Sequence, residues 1–174
     1  ELPSESSEDV VGSITCTAMV ETCVGGRRPM NLRDVDSTDE SLGGYFARCA
    51  HMESASVVAF VELSRQLVEL GAPQTLIEGC RRAARDEVQH AKLLGYLAGI
   101  EGHEIPRVEY SKSAADPFAI ALHNAVEGCV TENWAALLAR WQSLHAGVAA
   151  VRAIYRKIAD DETRHGELAW ELHR

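Results

Sequence analysis

Asp86-Glu87-Val88-Gln89-His90, near the middle of the chain, and Asp161-Glu162-Thr163-Arg164-His165, near its C-terminus, share one pattern: an acid, a glutamate, and a histidine three residues after the glutamate. Around each, apolar residues recur in alternating steps of three and four, the spacing that lines one face of an α-helix. Leu76, Cys80, Ala83, Glu87, His90, Leu94 and Leu97 make one such stripe; Val148, Val151, Tyr155, Ile158, Glu162, His165, Ala169 and Leu172 make another. The same steps elsewhere yield Phe46, Cys49, Glu53, Ser56, Phe60, Leu63, Leu67 and Leu70, and then Ile120, His123, Glu127, Val130, Trp134, Leu137, Trp141 and Leu144. Four helices with core-facing stripes are therefore expected. Trp134 and Trp141 belong to the expected core, whereas Glu62 and Glu132 fall off the stripes and are expected to flank them or face solvent.

Capping signals set the boundaries. Ser37-x-x-Glu40 reads as a capping box that opens helix one. Gly71-Ala72-Pro73 supplies a left-handed stop and a proline for the first turn of helix two, which runs to Gly99 or Gly102. Residues 101–115 contain Pro106 and little periodicity, the size of a long crossover. Asp116-Pro117 restarts the chain as N-cap and first helical residue of helix three, a turn follows Leu144 at His145 to Gly147, and helix four reaches the C-terminal end. Residues 1–36 differ: an acidic, Ser-rich start, a β-leaning stretch from Val10 to Val24, and Gly25-Gly26-Arg27-Arg28-Pro29. They read as a tail and extended arm, with residues 37–174 as one all-α, antiparallel four-helix bundle.

Each stripe holds one glutamate near its middle. The midpoint of Glu53 and Glu87 is residue 70, at the first stop, and that of Glu127 and Glu162 falls at the turn beside His145. In an antiparallel hairpin, residues equidistant from the turn lie level, here about 25 Å from it at 1.5 Å per residue. Four carboxylates in one apolar layer are costly unless protonated or met by cations. Two divalent ions balance them, and His90 and His165 add one nitrogen each. Glu53, Glu87, His90, Glu127, Glu162 and His165 are thus the expected metal ligands. Carboxylate-rich sites with one imidazole per ion suit Fe(II), or Mn(II), better than zinc. Asp86 is expected to accept from His165 and Asp161 from His90, fixing the imidazole tautomers.

One Glu from each of two helices, with Glu-x-x-His from each of the other two, resembles the ferritin-like di-iron carboxylate superfamily. The resemblance covers residues 38–173 in the superfamily's order. Glu53-Ser-Ala-Ser-Val-Val-Ala-Phe, Leu70-Gly-Ala-Pro and Glu127-Gly-Cys-Val are also similar to bacterial proteins described only as containing a ferritin-like domain. The resemblance implies reaction of two ferrous ions with O2 or peroxide. Three outcomes stay open: an oxidase or oxygenase acting on a small substrate, with a pocket around Glu53, Phe60, Glu127, Thr131 and Trp134; a ferroxidase or iron store; and a rubrerythrin-like peroxide reductase with an external electron donor. Val88 stands where bacterioferritins carry a haem-binding methionine, so no haem is expected. Thr131, one turn after Glu127, resembles the threonine of bacterial multicomponent di-iron hydroxylases and is a candidate for O2 or proton delivery. From position alone, His123 reads as an extra ligand, a proton donor or a core histidine. Tyr155 reads as a hydrogen-bond or electron donor, or a packed core tyrosine.

Composition narrows the partners. Among 174 residues, 17 Lys+Arg stand against 26 Asp+Glu, a net charge of -9 with no basic block longer than two, which disfavours a nucleic-acid surface. The longest uncharged, mostly apolar run, Ser54 to Val61, is far short of a membrane span. The sequence opens on Glu1 with no Met, so a native start upstream is expected, and the compartment stays open between cytoplasm and export. Five cysteines leave at least one thiol free. A Cys16–Cys23 disulfide suits an exported protein, while Cys49, Cys80 and Cys129 are expected as small buried hydrophobes. Homo-oligomers are compatible with all of this.

Overall fold

The computed structural model describes residues 25–33 and 39–174. Helices α1 (Leu42–Glu69) and α2 (Gln74–Ile100) are joined by a short turn. After the non-helical stretch 101–116, α3 (Pro117–His123), a π segment (Asn124–Glu132) and α4 (Asn133–His145) run on as one third helix. Helix α5 (Ala149–Leu172) completes an all-helical bundle of four. No strand is present among the described residues; an isolated bridge joins Leu32 to Tyr110. No helix among them is long and apolar enough to cross a membrane.

The boundaries follow from local chemistry. Ser37 lies outside the described residues, and α1 begins at Leu42 with Ser41 as its cap, the hydroxyl accepting from the Gly44 amide at 3.1 Å. Gly71, at φ +68°, turns the chain out of α1 and lets the Ala72 amide donate to the Leu67 carbonyl at 2.9 Å. Asp116 caps α3 by accepting from the Phe118 and Ala119 amides at 2.9 and 3.2 Å, and Pro117 takes the first position, where no amide is needed. Of the expected tail and arm, Val10 to Val24, with Cys16 and Cys23, lies outside the described residues. Residues 25–33 lie against the helices.

Two apolar clusters make the core. One gathers Phe46 and Ala50 from α1, Leu94 and Ala98 from α2, Ala139 from α4, and Tyr155 and Ile158 from α5. The other gathers Phe60, Leu63 and Leu67 from α1, Ile77, Cys80 and Ala83 from α2, and Ile120 from α3, with Leu168 and Leu172 packed on it. Between them in every helix lie buried charged residues. That intervening layer is where the site is found.

The third helix departs from its expected stripe. Its buried residues are Ile120, Asn124, Glu127, Gly128 and Cys129, and then Glu132, Ala135, Ala139 and Ser143. The wider π turns add one residue to the turn and move the inward face by one position. Trp134 and Trp141, expected in the core, are therefore about half exposed, with Val130, Leu137 and Leu144 beside them, while Glu132, expected outside, is completely buried. Val148 is also exposed. Cys80 and Cys129 are free and buried as expected. Cys49 corrects the reading of it as a plain hydrophobe, because it is disulfide-bonded; periodicity records that a side chain is buried and is silent about its sulfur.

Candidate metal centre

Four carboxylates and two imidazoles meet in the layer between the clusters. Glu53, Glu87, His90 and Glu162 bring donor atoms within 4.8 Å of one another, Glu87, Glu132, Glu162 and His165 do the same, and each group could hold a metal ion. Glu87 and Glu162 belong to both groups, whereas each group has its own histidine and its own further glutamate. All six residues are buried.

The histidines are oriented from behind. His90 Nε2 lies 2.9 Å from Asp161 Oδ2, and His165 Nε2 lies 3.5 Å from Asp86 Oδ2, the pairing expected from the sequence. Asp161 also accepts from Lys157 at 2.7 Å and from Arg164 at 2.5 Å. With Nε2 committed to an acid, Nδ1 of each ring turns inward. His90 Nδ1 lies 3.3 Å from Glu87, 3.4 Å from Glu162 and 3.6 Å from Glu53. His165 Nδ1 lies 3.1 Å from Glu87, 3.4 Å from Glu162 and 3.9 Å from Glu132.

The donor set fits a cation. Both Nδ1 atoms, both oxygens of Glu87 and of Glu162, and one oxygen each of Glu53 and Glu132 are buried with no hydrogen-bond partner. Native interiors rarely strand so many polar atoms together. They converge, and every one of them is a hard oxygen or imidazole nitrogen of the kind that ligates Fe(II) or Mn(II).

Electrostatics divide the carboxylates into two pairs. Burial, reinforced by the neighbouring Glu87, pushes the Glu53 carboxyl well above the usual range, and burial beside Glu162 does the same to Glu132. Burial also works against ionisation of Glu87 and Glu162, but contact with both imidazoles holds these two below the usual range. For the imidazoles burial opposes the charged form, yet the surrounding acids raise His90 and His165. Without a metal, these effects favour the protonated forms of Glu53, Glu132 and both rings.

Glu127 is buried but enters neither group. Its carboxylate accepts from Arg28 Nη2 at 2.8 Å and from the Arg28 amide at 3.2 Å. Glu132 occupies the inward position instead, because the π turns carry the chain past Glu127 before the helix again faces the layer. The two are five positions apart, the hydrogen-bond span of a π turn, and from Glu132 the small residues Ala135, Ala139 and Ser143 follow in three-four-four steps. Both signals were legible, though weaker than the large apolar stripe.

The arm supplies the other residues that the helical periodicity could not reveal. A Cβ on Gly26 would sit 2.9 Å from Glu132 Oε2 and 3.3 Å from Glu87 Oε1, so this backbone lies directly on the carboxylates. The Arg27 amide donates to Glu132 Oε1 at 2.9 Å. Its buried guanidinium stacks 5.4 Å from the Phe60 ring centre and donates to Asn124 Oδ1 at 2.5 Å, passing where a side chain on Gly128 would collide with it. Gly25-Gly26-Arg27-Arg28 therefore forms a strap across the layer.

Of the residues expected around a substrate pocket, Glu53 is in the first donor group and Glu127 in neither, Phe60 lies under the Arg27 guanidinium, the Thr131 hydroxyl donates to the Val126 carbonyl at 3.3 Å, and Trp134 is about half exposed. A cleft reaches Glu53 and Glu162 between Tyr45, Gln142 and Tyr155. Gln142 donates to the Tyr45 hydroxyl at 2.5 Å, and the Tyr155 hydroxyl lies 3.5 Å from it. Burial and the adjacent Tyr45 raise the Tyr155 phenol above its ordinary range. His123 lines a separate cleft with Arg27, Met30, Glu62 and Gln66, and burial, then the Arg27 charge, lower its pKa. Glu62 is partly buried and pairs with Arg65 at 2.7 Å.

The chain matches no family model, no curated protein and no solved structure.

Proposed function

We propose that this protein is a dimetal carboxylate oxidoreductase that takes two Fe(II) ions, or Mn(II), and reacts with O2 or peroxide to oxidise a small substrate. The observation that carries the reading is the convergence of inward, partnerless Nδ1 and carboxylate atoms whose imidazoles are buttressed by Asp161 and Asp86. Glu53 and His90 would hold one ion, Glu132 and His165 the other, and Glu87 and Glu162 both. When bound, the ions supply electrons for reducing O2 or peroxide. No haem enters this reading, and an external electron donor completes the cycle where the substrate does not supply electrons.

The path of the chain supports a ferritin-like, antiparallel arrangement. Helix α1 meets the cluster around Phe46 first and that around Phe60 second; α2 and the third helix meet them in the opposite order, and α5 in the same order as α1. Helices α2 and the third helix then run in the same direction, as a long crossover between them requires.

The chain's own residues shape what reaches the ions. The Gly26 backbone and Arg27 exclude bulky molecules from one side, and the cleft at Tyr45, Gln142 and Tyr155 leaves small ones an approach beside Glu53. Tyr155 is placed to hold a proton at its hydroxyl near that approach. The test is O2 uptake by anaerobically iron-loaded protein in an oxygen electrode, repeated with peroxide. Rapid uptake with a change in the near-ultraviolet iron absorption is expected; a loaded protein inert to both oxidants refutes the redox role and leaves a structural metal.

A further inference from the structure

The third helix carries its largest apolar side chains on its outer face. Phe118, Leu122, Val126, Val130, Trp134, Leu137, Trp141 and Leu144 are each between 49 and 77% exposed, and nothing among the described residues covers them. Contiguous apolar surface of this size is uncommon on a monomer. At about 100 Å² for each half-exposed large side chain, the stripe offers roughly 800 Å², the share one partner contributes to a stable protein interface.

We propose that this face pairs with the same face of a second copy, in a twofold antiparallel contact centred at residues 131 and 132. The positions of the side chains carry the assignment. Phe118 and Leu144, Leu122 and Trp141, Val126 and Leu137, and Val130 and Trp134 are each spaced symmetrically about that centre. A half-turn about an axis there sets each residue opposite its counterpart in the other copy, and places the smaller Leu122 and Val130 against the two indoles. Such self-complementarity is what an isologous interface demands, and large against small is how facing helices interdigitate. The stripe itself is uncharged, with Arg140 and its partner Asp160, 2.5 Å away, on exposed ground at its margin. That is the apolar centre and polar rim of a protein interface. A net charge of -9 disfavours the main rival occupant, an anionic lipid surface.

The proposal is independent of the metal. Sedimentation velocity of the full chain from 1 to 50 µM is expected to give twice the 19.0 kDa of one copy. Val126→Lys and Leu137→Glu are each expected to give single chains with unchanged helical circular dichroism. Mixing the two variants is expected to restore the dimer, because the ammonium introduced in one then faces the carboxylate introduced in the other. If either variant fails to fold, dilution of the unmodified chain decides: its tryptophan emission moves to the red as Trp134 and Trp141 become wet. A single-chain mass throughout the range overturns the proposal, as does cosedimentation of a monomer with vesicles of phosphatidylcholine and anionic phosphatidylserine. Single variants that stay dimeric, or a mixture that stays monomeric, overturn the antiparallel register.

Discussion

The layer between the two apolar clusters has two unlike sides. Helices α2 and α5 bring Glu87, His90, Glu162 and His165, with Asp161 and Asp86 behind the imidazoles and the two carboxylates held ionised between the rings. Helix α1 and the third helix bring one glutamate each, Glu53 and Glu132, both pushed toward the protonated form, and the latter fixed by a backbone amide of the strap. One side is organised before any ion arrives, while the other waits for the ion's charge. The expectation is that α2 and α5 set whether metal binds and that α1 and the third helix set how many ions stay.

Glu162→Ala sharpens that contrast most, because Glu162 belongs to both donor groups. Loss of both ions is expected, read by metal analysis after desalting, and retention of even one would put Glu162 outside the shared position. Glu132→Ala is expected to cost one ion, whereas Glu127→Ala keeps both. The reverse result would return the third helix to unbroken α-helical phase.

Asp161→Asn weakens an orienting contact without removing a ligand. A loss of metal affinity of roughly 10- to 100-fold is expected, and competition with a chelator measures it. Acidity acts on the waiting side. Because Glu53 and Glu132 hold protons well above the ordinary carboxylate range, and both imidazoles are also raised, metal must displace protons to bind. Affinity is therefore expected to rise with pH from acid through neutral, with proton release visible as a buffer-dependent heat in calorimetry; a pH-independent affinity would contradict the assigned protonation.

The strap gives the smallest effect. Gly26→Ala places a methyl group against Glu132 and Glu87, and destabilisation of about 1–3 kcal/mol is expected. Thermal melting of the metal-free protein measures it, and an unchanged melting temperature would mean that the backbone does not lie on the carboxylates.

Helices α1, α2 and α5 were legible from the sequence because their side chains repeat at one unbroken α-helical period. Glu53, Glu87, His90, Glu162 and His165 stood on those stripes and come together. The third helix was misread in phase. Its large residues repeat as regularly as a core stripe does, so the periodicity identified an apolar face without saying which of two faces meets the bundle. The π segment decides that, and the inward face of α4 beyond it is built from Ala135, Ala139 and Ser143, small residues with a weak hydrophobic signal. Arg27 was illegible for a different reason. A long-range contact between an irregular arm and Glu132 leaves no period, and its one trace was the Gly25-Gly26 pair that lets a backbone approach so closely.

Anaerobic titration of the purified chain with ferrous salt, followed by metal analysis of the desalted protein and a thermal melt, tests the central claim most directly. Two ions per chain and a marked rise in melting temperature are predicted. A protein that emerges empty and melts at the same temperature with and without iron or manganese would contradict it.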